Sequence, residues 1–269
     1  MLKLVISGLV VLALVAILIF TLLYFIQEKL IFFPDKLPGN YQFAFKGRYE
    51  EINFVTDDNT SLNSVLFKTD QPSKGVIFYL HGNAGTIDTW GDIAGFYHGL
   101  GYDVFMLDYR GYGKSEGSIN SEKQFFGDVE LAYSELTKRY SENRIIVLGY
   151  SIGTGAAARV AALHKPRLLI LQAPYYSLTD LIQKLYPMVP GFFVKYKFNT
   201  AGYLKKCQVP VVIFHGEDDE IIYYQSSVRL KAHLKSTDTL ITLRKQVHNG
   251  ITENPEYQHE LKRILATLD

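Results

Sequence analysis

Five continuous apolar runs, "GVIFYL", "DVFMLD", "RIIVLG", "RLLILQAP" and "VPVVIFHG", each stop abruptly at a polar or glycine-bearing turn. Short apolar runs without alternation suit strands covered on both faces, as in a parallel sheet. Helical spacing fills the gaps, over residues 121–140 (through Phe125, Phe126, Val129, Ala132, Tyr133 and Leu136), 152–163, 224–235 and 255–268. The last of these opens on Pro255, where a helix start tolerates proline. "TLITLRK" supplies a final strand, and "YEEINFVT" and "LNSVLFK", joined by "DDNTS", read as an antiparallel pair at the front. This alternation predicts an α/β fold: a mostly parallel sheet of about eight strands with helices on both faces. Chemistry in such sheets gathers beyond the carboxyl ends of the strands. Those ends read "HGNAG", "DYRGYG", "GYSIG", "QAPYYS" and "HGEDDEII". The site is expected there.

Residues 178–206, "LTDLIQKLYPMVPGFFVKYKFNTAGYLKK", interrupt the alternation and exceed what one crossover helix needs. We read them as a small helical lid over the site; the alternative is an ordinary helix pair packed on the sheet. Ahead of the domain, residues 4–26 carry no charge, and only Ser7 and Thr21 interrupt them with hydroxyls. At about 1.5 Å per residue this run crosses a hydrocarbon core of roughly 30 Å. A cleaved signal peptide has a shorter apolar core and a small-residue exit, whereas this run leaves through Tyr24, Phe25, Ile26, Gln27, Glu28 and Lys29. A retained single-pass anchor is therefore expected over 1–28, with a linker over 29–48 and one catalytic domain over 49–269. Lys3 before the span places the N-terminus in the cytoplasm and the domain on the far side. Phe32 and Phe33 suit a position near the headgroups. A net charge of +1 gives no electrostatic footprint for nucleic acid. The lone Cys207 and the absence of an H-E-x-x-H motif imply no disulfide framework and no metal site.

"IIVLGYSIGTGAAARV" supports two incompatible readings. One is a nucleophile elbow, with Ser151 between Gly149 and Gly153. The other is a dinucleotide-binding turn, Gly153-Thr154-Gly155 closed by Ala158. The second demands an acid at the end of the next strand, to hold a ribose hydroxyl. That strand ends "LLILQAPYY", offering Gln172 and no carboxylate. The elbow demands a histidine base and an acid later in the chain, in the order serine, acid, histidine. His233 and His259 lie within helical patterns, whereas His248 sits on the loop after "TLITLRK". Four acids leave the preceding strand, Glu217, Asp218, Asp219 and Glu220, and residue type alone does not choose among them. No cofactor is implied once the elbow is preferred.

Taken together, "HGNAG", "DYRGYGKSEG", "GYSIGTGAA", "HGEDDEIIYYQS" and "HNG" resemble the α/β-hydrolase superfamily over nearly all of residues 50–268. The resemblance is closest to the membrane-anchored α/β-hydrolase-domain subfamily, which includes protein depalmitoylases, with serine aminopeptidase-like relatives. It implies Asp219 as the acid, with Tyr223 standing where the family often has proline. The architecture puts one oxyanion-hole donor at the amide of Ile152; the resemblance puts the other at Asn83. Gly149 and Gly153 meet the elbow's steric demand, and His81 and Gly82 shape the oxyanion loop. Asp108 and Arg110 read as loop-ordering. The expected enzyme is a serine hydrolase acting on ester or thioester bonds of a lipid, small-molecule or acylated-protein substrate. A peptidase on the same fold and a catalytically silent scaffold are the alternatives.

Overall fold

The computed structural model describes residues 1–268. α1 (Leu2–Ile31) is followed by β1 (Arg48–Val55), β2 (Ser61–Lys68), β3 (Gly75–Leu80), α2 (Ile87–Trp90), α3 (Ala94–Gly99), β4 (Tyr102–Leu107) and α4 (Glu122–Thr137). The chain continues through β5 (Ile145–Tyr150), α5 (Gly153–Leu163), β6 (Leu168–Gln172), α6 (Leu178–Leu185) and α7 (Thr200–Leu204). It ends with β7 (Val211–Gly216), α8 (Gln225–Leu230), β8 (Thr239–Leu243) and α9 (Pro255–Ala266). The eight strands form one sheet in the order β1-β2-β4-β3-β5-β6-β7-β8. β1–β2 and β2–β4 pair antiparallel and the remaining pairs are parallel.

Alternation along each strand divides the interior in two. Val76, Phe78 and Leu80 of β3 join a core with Phe125 and Val129 of α4 and Val160 of α5. Ile77 and Tyr79 point the other way, toward Tyr97 of α3 and Tyr257 and Leu261 of α9. Helices therefore seal both faces, which is why β3 to β7 carry unbroken apolar runs. Side-chain caps fix the helix starts: Ser121 Oγ accepts from the Gln124 amide at 3.1 Å. Asn254 Oδ1 accepts from the amides of Glu256 and Tyr257 at 2.8 and 3.1 Å, just ahead of Pro255.

Three expectations need adjusting. The single helix expected over 224–235 ends at Leu230 and tightens into a 3-10 turn, Lys231–His233. Lys235 then binds Asp238 through both its amide and its ammonium group, turning the chain toward β8. Residues 178–206 divide between the two readings given for them. Tyr196, Phe198, Ala201 and Leu204 are buried in the core, whereas Leu185, Tyr186, Met188 and Phe192 project from it. Finally, the apolar helix extends to Ile31, and Phe32 is 5% exposed, against an expected place near the headgroups. Its ring meets Tyr196, Phe125 and Phe198 at 5.1, 5.9 and 6.3 Å, so the domain recruits it. Phe33 stays exposed.

The segment after α1 is held tightly. Leu37 N donates to Gly113 O at 2.9 Å and Gly113 N to Asp35 O at 2.8 Å. Within α1, Gln27 Nε2 donates to Phe193 O at 2.8 Å and Gln27 Oε1 accepts from Lys195 N at 2.9 Å. The Glu28 carboxylate takes Lys195 Nζ at 3.1 Å and Tyr196 Oη at 3.0 Å. The earlier part of α1 stands clear of the domain, with residues 2–19 all exposed.

Candidate active site

β5 runs straight into a reversal that only small neighbours permit. Ser151 has φ 52°, a left-handed conformation that costs a non-glycine residue energy. A Cβ on Gly149 would lie 2.6 Å from Gly153 O, and one on Gly153 would be driven into the Leu80 carbonyl. The turn is pinned by Ser151 N donating to Gln172 O at 3.0 Å and by Thr154 Oγ1 donating to Ser151 O at 2.6 Å. Ser151 is left 8% exposed at the carboxyl edge of the sheet.

The loop after β8 brings His248 to the same edge. Its Nε2 is 3.0 Å from Ser151 Oγ, and its Nδ1 is 2.8 Å from Asp219 Oδ2. Asp219 arrives from the turn after β7. Of the four acids there, Asp219 is the one whose carboxylate meets the imidazole; Glu220 accepts from the His248 amide at 3.1 Å, and Glu217 and Asp218 face solvent. Asp219 Oδ1 accepts from the amides of Ile221 and Ile222 at 2.9 and 2.8 Å. His215 Nε2 lies 3.2 Å from Oδ2. Burial alone would raise this carboxyl's pKa. Hydrogen bonds from His215 and His248, the attraction of His248 when it is cationic and the Ile222 amide outweigh it and hold Asp219 well below the usual carboxylate range. The other two late histidines are elsewhere: His233 Nε2 meets Tyr176 Oη at 3.0 Å, and the His259 side chain is exposed.

The amides of Ile152 and Asn83 donate to no carbonyl or side chain among the described residues, leaving both free for a ligand. The loop carrying Asn83 is braced from below. His81 is fully buried; its Nδ1 donates to Gly82 O at 2.8 Å and its ring packs 4.4 Å from Tyr109. Burial pushes His81 down to about 4, against the pull of the Gly82 and Leu107 carbonyls, so the ring is neutral and buttresses the loop. A Cβ on Gly82 would press within 2.6 Å of the Tyr150 ring. Asp108 accepts from the Ile87 amide at 2.9 Å, and Arg110 bridges Asp128 at 2.6 Å and Asp58 at 2.7 Å. Both order loops away from the serine.

Two contributions escaped the sequence reading. Tyr150 Oη donates to the His248 carbonyl at 2.8 Å, tying the His248 loop to the residue before Ser151. His215 supports Asp219, and its signal was present: it opens the "HGEDDEII" turn itself. The Asn83 side chain ties its loop to the exit of α1. Its Nδ2 donates to Ile31 O, while Oδ1 accepts from Phe33 N at 3.2 Å and Tyr112 Oη at 2.7 Å. The dinucleotide turn has no room. The Gly155 amide already donates to Tyr175 Oη at 3.1 Å, and that hydroxyl fills the space beside Gly155.

Residues 71–201 match the family model described as serine aminopeptidase, S33. Protein bem46 of Schizosaccharomyces pombe is 32% identical over 218 residues, covering 74% of this chain and 72% of that protein. Alpha/beta hydrolase domain-containing protein 17B of Homo sapiens is 28% identical over 238 residues, 86% of this chain and 80% of the other. Among solved structures, an esterase of Pyrococcus furiosus superposes with TM-score 0.67 at 20% identity, over 87% of this chain and 98% of that one. Sheet order, elbow and these relatives agree: the chain belongs to the α/β-hydrolase superfamily, among its α/β-hydrolase-domain proteins, and is a hydrolase.

Proposed function

We propose that the protein is a membrane-anchored serine hydrolase that cleaves carboxylic ester or thioester bonds through an acyl-enzyme. The observation carrying this reading is the relay Ser151 Oγ–His248 Nε2 at 3.0 Å and His248 Nδ1–Asp219 Oδ2 at 2.8 Å. His248 takes the proton from Ser151 as Oγ bonds to the acyl carbon. The negative oxygen so formed is received by the amides of Ile152 and Asn83, and loss of one such donor typically costs about 100- to 1,000-fold. Collapse expels the alcohol or thiol, which leaves with the proton from His248. Water attacks the acyl-enzyme by the same route and releases the carboxylic acid. Asp219 fixes the tautomer of His248 and stabilises its cationic form.

Membrane attachment is supported by the length and apolarity of α1, and by its last turns, whose Gln27 and Glu28 are bound into the domain. A helix so integrated is unsuited to removal as a leader. Ester or thioester chemistry is favoured by the apolar cleft lined by Ile31, Phe33, Ile182 and Phe193, since the first two are held by the Asn83 side chain. The match to the serine aminopeptidase family keeps release of amino-terminal residues as the competing reading. Full-length protein treated with a fluorophosphonate probe and assayed on nitrophenyl esters tests the proposal. Labelling and turnover should both vanish in Ser151→Ala. Labelling that persists in that variant, or peptide cleavage with acyl esters untouched, would overturn it.

A further inference from the structure

Between α1 and the projecting part of residues 178–206 lies an apolar cleft of about 470 Å³, which the relay itself does not line. We infer that this cleft holds the hydrocarbon chain of the acyl substrate, entered sideways from the lipid phase; the inference rests on the esterase or thioesterase reading and names where the acyl chain goes. Phe20, Leu23 and Leu30 form one wall and Ile182, Val189 and Phe193 the other. The volume lies within the range of small-molecule cavities, roughly 300–1,000 Å³. No charged side chain lines it among the described residues. Gln27, its one amide side chain, spends both ends on the backbone of Phe193 and Lys195, so it presents no unpartnered polar atom to an alkyl chain.

Position completes the case. At the inner end, Ile31 and Phe33 line the cleft, and these are the residues that Asn83 grips through its side chain. The Asn83 amide is the proposed oxyanion donor, so the inner end of the cleft borders the segment that braces the proposed reacting centre. At the outer end, Phe20 to Tyr24 lie where the uncharged stretch of α1 gives way to Gln27, Glu28 and Lys29. That boundary is where acyl chains meet their headgroups. Phe20 and Phe193 stack across the cleft with centroids 5.1 Å apart. Rings at that spacing touch, so the pair closes this part of the cleft and a chain passes beside it rather than between the rings.

The test compares a butyryl and a palmitoyl thioester on the full chain in lipid nanodiscs, with Val189→Trp filling the cleft. We expect kcat/KM for the palmitoyl substrate to fall at least about tenfold while butyryl turnover holds, as a pocket losing methylene contacts requires. Equal losses on both substrates, or no change on either, would overturn the inference. A second measurement does not depend on turnover. Ser151→Ala protein is photo-crosslinked with a palmitoyl ester bearing a mid-chain diazirine. Adducts should map to the cleft walls and be suppressed by Val189→Trp; adducts elsewhere, or adducts insensitive to that substitution, overturn it. Failure of the hydrolase reading looks different, with butyryl turnover and fluorophosphonate labelling already absent in the unmodified enzyme.

Discussion

Asp219 keeps its charge inside the protein because His215, His248 and the amides of Ile221 and Ile222 all aim donors at it. Asp219→Asn retains the shape but reverses what its Oδ2 offers His248 Nδ1, and kcat should drop about 10⁴-fold with the fold intact by circular dichroism. Asp108 is the opposite case: burial raises it to about 7 against the Ile87 amide. Its pKa is thus higher in the folded chain than the 3.8 of the unfolded one. The stability linked to its proton is complete at low pH and lost as pH rises through about 7. Thermal melts between pH 5 and 8 should decline less steeply in Asp108→Asn, and parallel slopes would refute this assignment. Chain order pointed to His248 from residue types alone, but selecting Asp219 needed the family resemblance. Four adjacent acids differ only in where the turn aims them, which local sequence does not encode.

At the scale of elements, the elbow depends on β5, α5 and β3 closing to backbone contact. Gly153→Ala forces a methyl into the Leu80 carbonyl and should destabilise the protein by more than about 2 kcal/mol in urea unfolding. A change below about 0.5 kcal/mol would mean the turn relaxes freely. Every apolar run read as a strand is one, because a strand buried on both faces has no alternation to disguise it. Residues 178–206 were harder to read. Their aromatic residues serve two environments, Tyr196 and Phe198 facing the core and Tyr186 and Phe192 facing outward, and composition does not separate them. Phe32 was misplaced for the same reason: an aromatic after an apolar helix suits a headgroup belt and a protein core equally well.

Across the whole molecule, α1 and its exit are integral to the folded domain. A chain beginning at residue 40 loses the Phe32 ring and the backbone bonds of Asp35 and Leu37. It should melt roughly 10 °C below the full-length protein, as expected for an emptied aromatic site. It also leaves Asn83 without Ile31 and Phe33, so its kcat on short soluble esters should fall up to about 100-fold while KM changes little. Unaltered kcat in that truncation would show that the Asn83 loop stands unaided. The stitching of residues 27–37 to the domain has one more consequence. An enzyme on a slack tether sweeps a hemisphere and samples esters at any height, but a rigid mast allows no such sweep. Were α1 seated in a bilayer as proposed, Ser151 would ride at a constant altitude above the lipid, and bonds would be selected first by how deep they sit.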